Sequence, residues 1–150
     1  MVHRKKLPRE ADEYLSYLVR ITGWERWWNF SVGDKSRWSP GPYDVGGTLT
    51  LYGDVVRPEG FKYPRAAITL SGKGKMMEET DHPKSVGWID VKNGLLQAYV
   101  SVPAESMEEL TVLAASDRLK IVHLNGTPLR YRRGRVNSIS LNTEFDPDEW

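Results

Sequence analysis

The sequence contains no cysteine, so the chain can form no disulfide bond and can use no thiolate chemistry. It also has no apolar run long enough to cross a bilayer. Its basic start, residues 1–8, is not followed by the uninterrupted apolar stretch of a secretory signal. We therefore expect a cytoplasmic protein that does not engage a membrane.

A strong excess of charge of one sign is lacking as well. The net charge is only +1, so the whole molecule has no field that would steer a polyanion towards it. We expect weak or no nucleic-acid binding, and any electrostatic function must come from a local patch. At 150 residues the chain is long enough for one domain, 1–150. Because residues 1–12 and 142–150 are rich in charge, we expect both ends to be loose.

Motifs for catalysis and metal binding are missing too. Carboxylates and a histidine come together only at residues 78–82, where Asp81 and His82 would serve an enzyme as an acid–base pair. No metal-ligand spacing and no nucleophile motif accompanies them, and a polar loop explains the segment. His123 is in phase with apolar neighbours and is interpreted as a half-buried structural residue. We predict no catalytic residue, no metal and no cofactor, and an enzyme is the least favoured function.

What the sequence does contain is a hairpin centred on Asn93-Gly94. This dipeptide between two alternating runs indicates a type I′ turn, because both of its residues tolerate positive φ. The two-residue turn fixes the register, so that Val91 faces Leu96 and Trp88 faces Tyr99. Alternation then gives the hairpin one apolar face for the core and one half-exposed face.

Similar patterns predict the remaining elements. Residues 14–22 favour a strand, with a helix ending at Gly23 as the open alternative, and 27–32 alternate again. Residues 33–47 indicate a long loop. Further strands are predicted at 48–56, 66–70, 119–124 and 129–141, with a turn at 125–126, a bend near residue 134 and a capped helix at 107–115. The chain is therefore predicted to be mainly β, a single-domain antiparallel β-sandwich or partly closed barrel of seven or eight strands with one short helix near 106–115. Strand order cannot be derived from one sequence.

An arginine-rich segment is the first candidate binding site. Arg130, Tyr131, Arg132, Arg133 and Arg135 place four arginines beside an aromatic ring, and arginine forks suit carboxylate or phosphate groups. Alternation separates Arg133 and Arg135 from the other two. The alternative is a solvated strand end paired with the acidic tail, which we define as Glu144, Asp146, Asp148 and Glu149. From this segment we predict that the protein is an interaction module that binds an acidic protein partner. The sequence does not indicate the oligomeric state of the module.

The six tryptophans are the second candidate, since four of them lie between residues 24 and 38. A flat aromatic surface can hold a carbohydrate or a nucleotide, although most tryptophans belong to the core or its rim. Trp38, in the predicted loop, is the best ligand-binding candidate, with Trp27 and Tyr43 beside it. The alternative function is therefore a ligand-binding β-sandwich.

Overall fold

The computed structural model of the protein describes residues 14–37, 40–146 and 148. It contains seven strands and one α-helix, with short 3-10 turns at Met76–Glu78 and Ala104–Ser106. The elements are, in chain order, β1 Leu15–Val32, β2 Tyr43–Arg57, β3 Arg65–Lys73, β4 Gly87–Lys92, β5 Leu95–Pro103, α1 Met107–Ala115, β6 Ile121–Gly126 and β7 Arg133–Asn142.

The strands form one sheet that closes into a barrel in the order β1-β2-β3-β5-β4-β7-β6, and β6 pairs with β1 to complete the ring. The mainly β class, the number of strands and the single short helix predicted from the sequence are confirmed. Of the two architectures considered, a sandwich and a partly closed barrel, the structure is nearer to the second, but its ring of strands closes completely. All strand pairs are antiparallel except β3 and β5, which are parallel because β4 lies on the far side of β5.

The β4–β5 hairpin has the register predicted from its two-residue turn. Val91 pairs with Leu96 and Trp88 with Tyr99, and both turn residues have positive φ. The apolar face lies in the barrel interior, where Val91 is 9% exposed. The core takes side chains from all seven strands and from α1, among them Tyr17, Val19, Leu49, Leu51, Ile68, Leu70, Ile89, Leu96, Val100, Met107, Val122, Leu124 and Val136.

The first two strands are longer than predicted. The segment predicted at 14–22 is a strand from Leu15 onwards rather than a helix, and that strand continues to Val32 with two register shifts against β2. The predicted loop at 33–47 is too long, since β2 already begins at Tyr43 and pairs with Val32. Gly46 and Gly47 had indicated a loop, but antiparallel pairing with Trp28 and Asn29 holds them in the strand. Register with β1 therefore overrides the low strand propensity of glycine here.

The end of the chain differs from the prediction in a similar way. Asn125 and Gly126 are paired residues of β6, and the turn comes later, so the strand predicted from residue 129 begins only at Arg133. Gly126 is needed inside the strand, because a Cβ there would lie 2.4 Å from the Arg135 carbonyl oxygen. The helix is observed at Met107–Ala115, but Ser106 makes no side-chain capping bond, and a 3-10 turn leads into the helix instead. Asn142 still belongs to β7, while residues 1–12 lie outside the described part of the chain.

Candidate binding surface at the arginine turn

Strands β6 and β7 are joined by a segment that ends in a tight turn, which we call the arginine turn (Arg130–Arg133). The Arg130 N–H donates to the Arg133 carbonyl oxygen at 2.8 Å, and the Arg133 N–H donates back to the Arg130 carbonyl oxygen at 3.0 Å. Between them, Tyr131 and Arg132 have φ values of 53° and 65°. The left-handed region is costly for residues with a Cβ, and two such residues in succession are therefore unusual. Tyr131 is 100% exposed at the tip of this turn.

Buried backbone and hydroxyl groups hold the base of the turn. Thr127 is buried; its N–H donates to the Arg135 carbonyl oxygen at 2.9 Å, and its Oγ1 accepts from the Arg135 N–H at 2.8 Å. The Tyr17 hydroxyl donates to the Thr127 carbonyl oxygen at 3.3 Å, and burial raises the pKa of Tyr17 to about 12. Gly134 permits this packing, since a Cβ there would lie 2.9 Å from the Thr127 carbonyl oxygen. The backbone that carries Arg133 and Arg135 is thus fixed from below.

The outer face of β7 and its neighbours combines arginines with aromatic rings. Val136 points into the core, so Arg133 and Arg135 project outwards from β7. Arg135 lies directly opposite Trp88 in β4, and Trp88 lies opposite Tyr99 in β5. The Trp88 and Tyr99 rings stack with centroids 5.3 Å apart. We call this set of four side chains the arginine–aromatic face, and it extends the arginine turn along the barrel.

The acidic tail does not neutralise these arginines within the described residues. None of Arg132, Arg133 and Arg135 forms an ion pair with a described tail residue. The tail follows the far end of β7, about 30 Å along the strand from Arg133. Glu144 instead borders a hollow with Arg20 and Lys120. Glu149 lies outside the described residues. Asp90 lies opposite Arg133 in register.

A shallow concavity of about 340 Å³ lies beside the turn. It is lined by Thr127, Pro128, Arg130, Tyr131, Arg133, Gly134 and Arg135. A second hollow, lined by Trp88, Ile89, Asp90, Arg133 and Gly134, adjoins it. Both are open to solvent and both share Arg133, so an extended ligand could contact the turn and the arginine–aromatic face together. Such a surface can bind carboxylates through guanidinium forks and pack planar groups on its rings.

The aromatic candidates for ligand binding are not brought together. Trp27 and Tyr43 lie on opposite faces of the β1–β2 pair, because Trp27 pairs with Thr48 whereas Tyr43 pairs with Val32. Trp38 lies outside the described residues. The sequence analysis did not select Trp88 and Tyr99 as site residues, although the hairpin register had already placed them face to face. Their closeness to Arg135 depends on the β4–β7 pairing, which the sequence does not reveal.

The remaining titratable candidates do not come together as a site among the described residues. Asp81 and His82 are both exposed and border none of the concavities described above. His123 is half-buried with its Nε2 3.1 Å from the Ser16 hydroxyl, and burial lowers the pKa of His123. Among the described residues, no group of three or more histidine and carboxylate side chains is arranged to hold a metal ion.

Comparison with known protein families, curated proteins and solved structures finds no match for this chain. The α-helix of the described chain is too short and too polar to span a bilayer.

Proposed function

We propose that the protein is a binding module without catalytic activity, and that it contacts an acidic protein partner through the arginine turn and the arginine–aromatic face. The observation that carries the proposal is the projection of Arg133 and Arg135 from one outer face, beside the Trp88–Tyr99 stack, with no ion pair to the described acidic tail. Partner carboxylates would supply the missing counter-charges.

The backbone of the turn supports the same proposal. Unfavourable φ values at an exposed turn persist where a side chain is needed at that position, and such departures cluster at binding sites. Tyr131 contributes nothing to packing, since it is fully exposed. Tyrosine and arginine are also the residues enriched among the strongest contributors to protein interfaces.

A protein partner fits better than a nucleic acid for two reasons. The net charge of +1 provides little long-range attraction for a polyanion. Asp90 lies opposite Arg133 and would repel a continuous run of phosphates, whereas a peptide with spaced carboxylates could avoid it. We therefore expect carboxylate-containing peptides to bind more tightly than single-stranded DNA of equal charge.

The test compares two charge-matched double variants. Fluorescence anisotropy with a labelled glutamate-rich peptide should give salt-sensitive binding for the parent protein. The variant Arg133→Gln/Arg135→Gln should weaken binding by about tenfold, as expected for the loss of two interface charges worth about 1.4 kcal/mol together. The control Arg118→Gln/Lys120→Gln removes the same charge from exposed positions outside the surface and should bind like the parent.

Two results would count against the proposal. One is a parent protein that shows no salt-sensitive association with the peptide. The other is an equal loss of binding in the two double variants, which would mean that overall charge, and not this surface, is responsible. Melting temperatures of all three proteins should agree closely, since the substituted side chains are outside the core.

The second candidate function is binding of a nucleotide or another planar ligand. The stack of Trp88 on Tyr99, with Arg135 opposite, favours it, because a base can stack on an exposed ring while a guanidinium group meets its phosphate. The test is a titration with nucleoside monophosphates followed by tryptophan fluorescence. Quenching should be lost in Trp88→Phe and kept in Trp27→Phe, which removes an equally exposed indole elsewhere.

A further inference from the structure

The first two strands extend beyond the barrel as a two-stranded ribbon, which we call the arm (residues 27–32 and 43–47). Pairing between β2 and β3 begins only at Thr48, and pairing between β1 and β6 ends at Arg20. Within the described residues, both edges of the arm therefore lack a neighbouring strand. Exposed strand edges with apolar side chains are typical sites of association.

One face of the arm is entirely apolar. It comprises Trp28, Phe30, Val32, Tyr43 and Val45, and each of these residues is more than half exposed. We call it the apolar arm face. The rings are already ordered against each other, since Phe30 stacks on Trp28 at 6.3 Å and on Tyr43 at 5.5 Å between centroids. Ring order before binding reduces the entropy that association must overcome.

We propose that the apolar arm face is a dimerisation surface on which a second copy of this chain packs face to face. From the exposed fractions, the face presents about 600 Å² of accessible surface, which is at the upper limit for a contiguous apolar patch on a monomer. Two such faces in contact would bury about 1,200 Å², the lower bound for a specific, stable interface. Symmetric pairing buries the same residues on both copies.

The chemistry of the face selects this occupant over the alternatives. None of its five side chains is charged, and the Arg26 guanidinium, which lies beside Gly47 at the base of the face, donates to the Trp27 and Thr48 carbonyl oxygens. The acidic partner proposed above does not suit it, because burying carboxylates against apolar rings is unfavourable. Residues 1–13 are mostly charged and have too few apolar side chains to cover it. The arginine turn lies beside the β4–β5 turn, since the Val91 N–H donates to the Arg132 carbonyl oxygen. The strand register places both turns at the end of the barrel opposite the arm.

The arm offers a matched pair of variants. Phe30 is 57% exposed on the apolar arm face, and Trp27 is 56% exposed on the opposite face of the same strand. Sedimentation equilibrium between about 1 and 100 µM should give the mass of two chains for the parent, with dissociation at the lower end. Phe30→Lys should remain monomeric over this range, at least tenfold weaker in self-association, whereas Trp27→Lys should dimerise like the parent.

Val45→Lys tests the same face from the other strand, since Val45 pairs with Phe30, and it serves if Phe30→Lys fails to fold. A parent that stays monomeric up to about 100 µM overturns the proposal, and the apolar arm face would then be a binding surface for a different protein. Dimers that persist in both lysine variants on this face would overturn it as well. Neither outcome affects the proposal for the arginine turn. Its peptide-binding test concerns a surface at the other end of the barrel, which a monomer presents as well.

Discussion

The arginine turn has a close counterpart in the same molecule, and this allows a reciprocal substitution. Asn93 and Gly94 have φ values of 55° and 73°, against 53° and 65° for Tyr131 and Arg132. The two turns therefore have closely matching φ values, but only the Asn93-Gly94 turn has residues suited to positive φ. Exchanging the dipeptides changes propensity while the backbone conformation stays the same.

The expected magnitude follows from the backbone cost. A residue with a Cβ loses about 1 kcal/mol in the left-handed region, so the Tyr131-Arg132 pair costs about 2 kcal/mol relative to residues that adopt it freely. Glycine loses more entropy on folding, which returns up to about 1 kcal/mol of that gain. Tyr131→Asn/Arg132→Gly should therefore raise the free energy of unfolding by about 1 kcal/mol. For a chain of this length, that raises the melting temperature by about 2–4 °C.

The reciprocal variant, Asn93→Tyr/Gly94→Arg, should lose a similar amount. Urea denaturation followed by circular dichroism measures both changes, and the m-value should stay constant because the surface exposed on unfolding is unchanged. The stabilised variant should also bind the glutamate-rich peptide more weakly, since it lacks Tyr131 and one arginine. The reasoning is refuted if Tyr131→Asn/Arg132→Gly is less stable than the parent, because the exposed side chains would then contribute packing that the geometry does not contain.

Two further predictions concern the core. Val91→Asp should reduce stability by several kcal/mol, because it puts a carboxylate in the barrel interior, while Lys92→Asp at the adjacent exposed position should change it little; melting within a degree or two of the parent for Val91→Asp would contradict the face assignment. The raised pKa of Tyr17, about 12, means that the unfolded chain ionises first, so stability should fall by about 2–3 kcal/mol between pH 10 and 12. Urea denaturation at pH 9 and pH 11.5 should show this additional loss for the parent but not for Tyr17→Phe, and equal losses would refute it.

Local signals in the sequence predicted the elements whose structure depends on local rules. The Asn93-Gly94 turn fixes its own register through backbone geometry, and every cross-strand pair of that hairpin was predicted correctly. The helix at Met107–Ala115 follows from its pattern, although its capping bond does not form. Glycine was the main source of error, because Gly47 and Gly126 are in strands where only a residue without a Cβ fits.

The candidate surface needed information that no local pattern contains. Arg135 and Trp88 are 47 positions apart in a sequence that says nothing of the β4–β7 pairing, so their juxtaposition could not be predicted. That Arg133 and Arg135 share one face follows from alternation within β7, whereas Arg130 and Arg132 lie in the turn, where alternation does not apply. The turn itself was predicted as strand, since Tyr131 and Arg132 are poor residues for positive φ.

Both surfaces proposed here are places where the sequence departs from the rules that the barrel otherwise follows. Within the barrel, the large apolar side chains of the interior face are buried. At the arginine turn, non-glycine residues adopt positive φ; on the apolar arm face, ordered rings remain in solvent. Each departure costs stability that an ordinary turn or a polar ribbon would retain, and such costs persist mainly where function requires them. Because the two departures lie at opposite ends of the barrel, a dimer formed through the arms would leave both arginine turns accessible. Self-association and partner binding could therefore occur in the same particle without competing for surface.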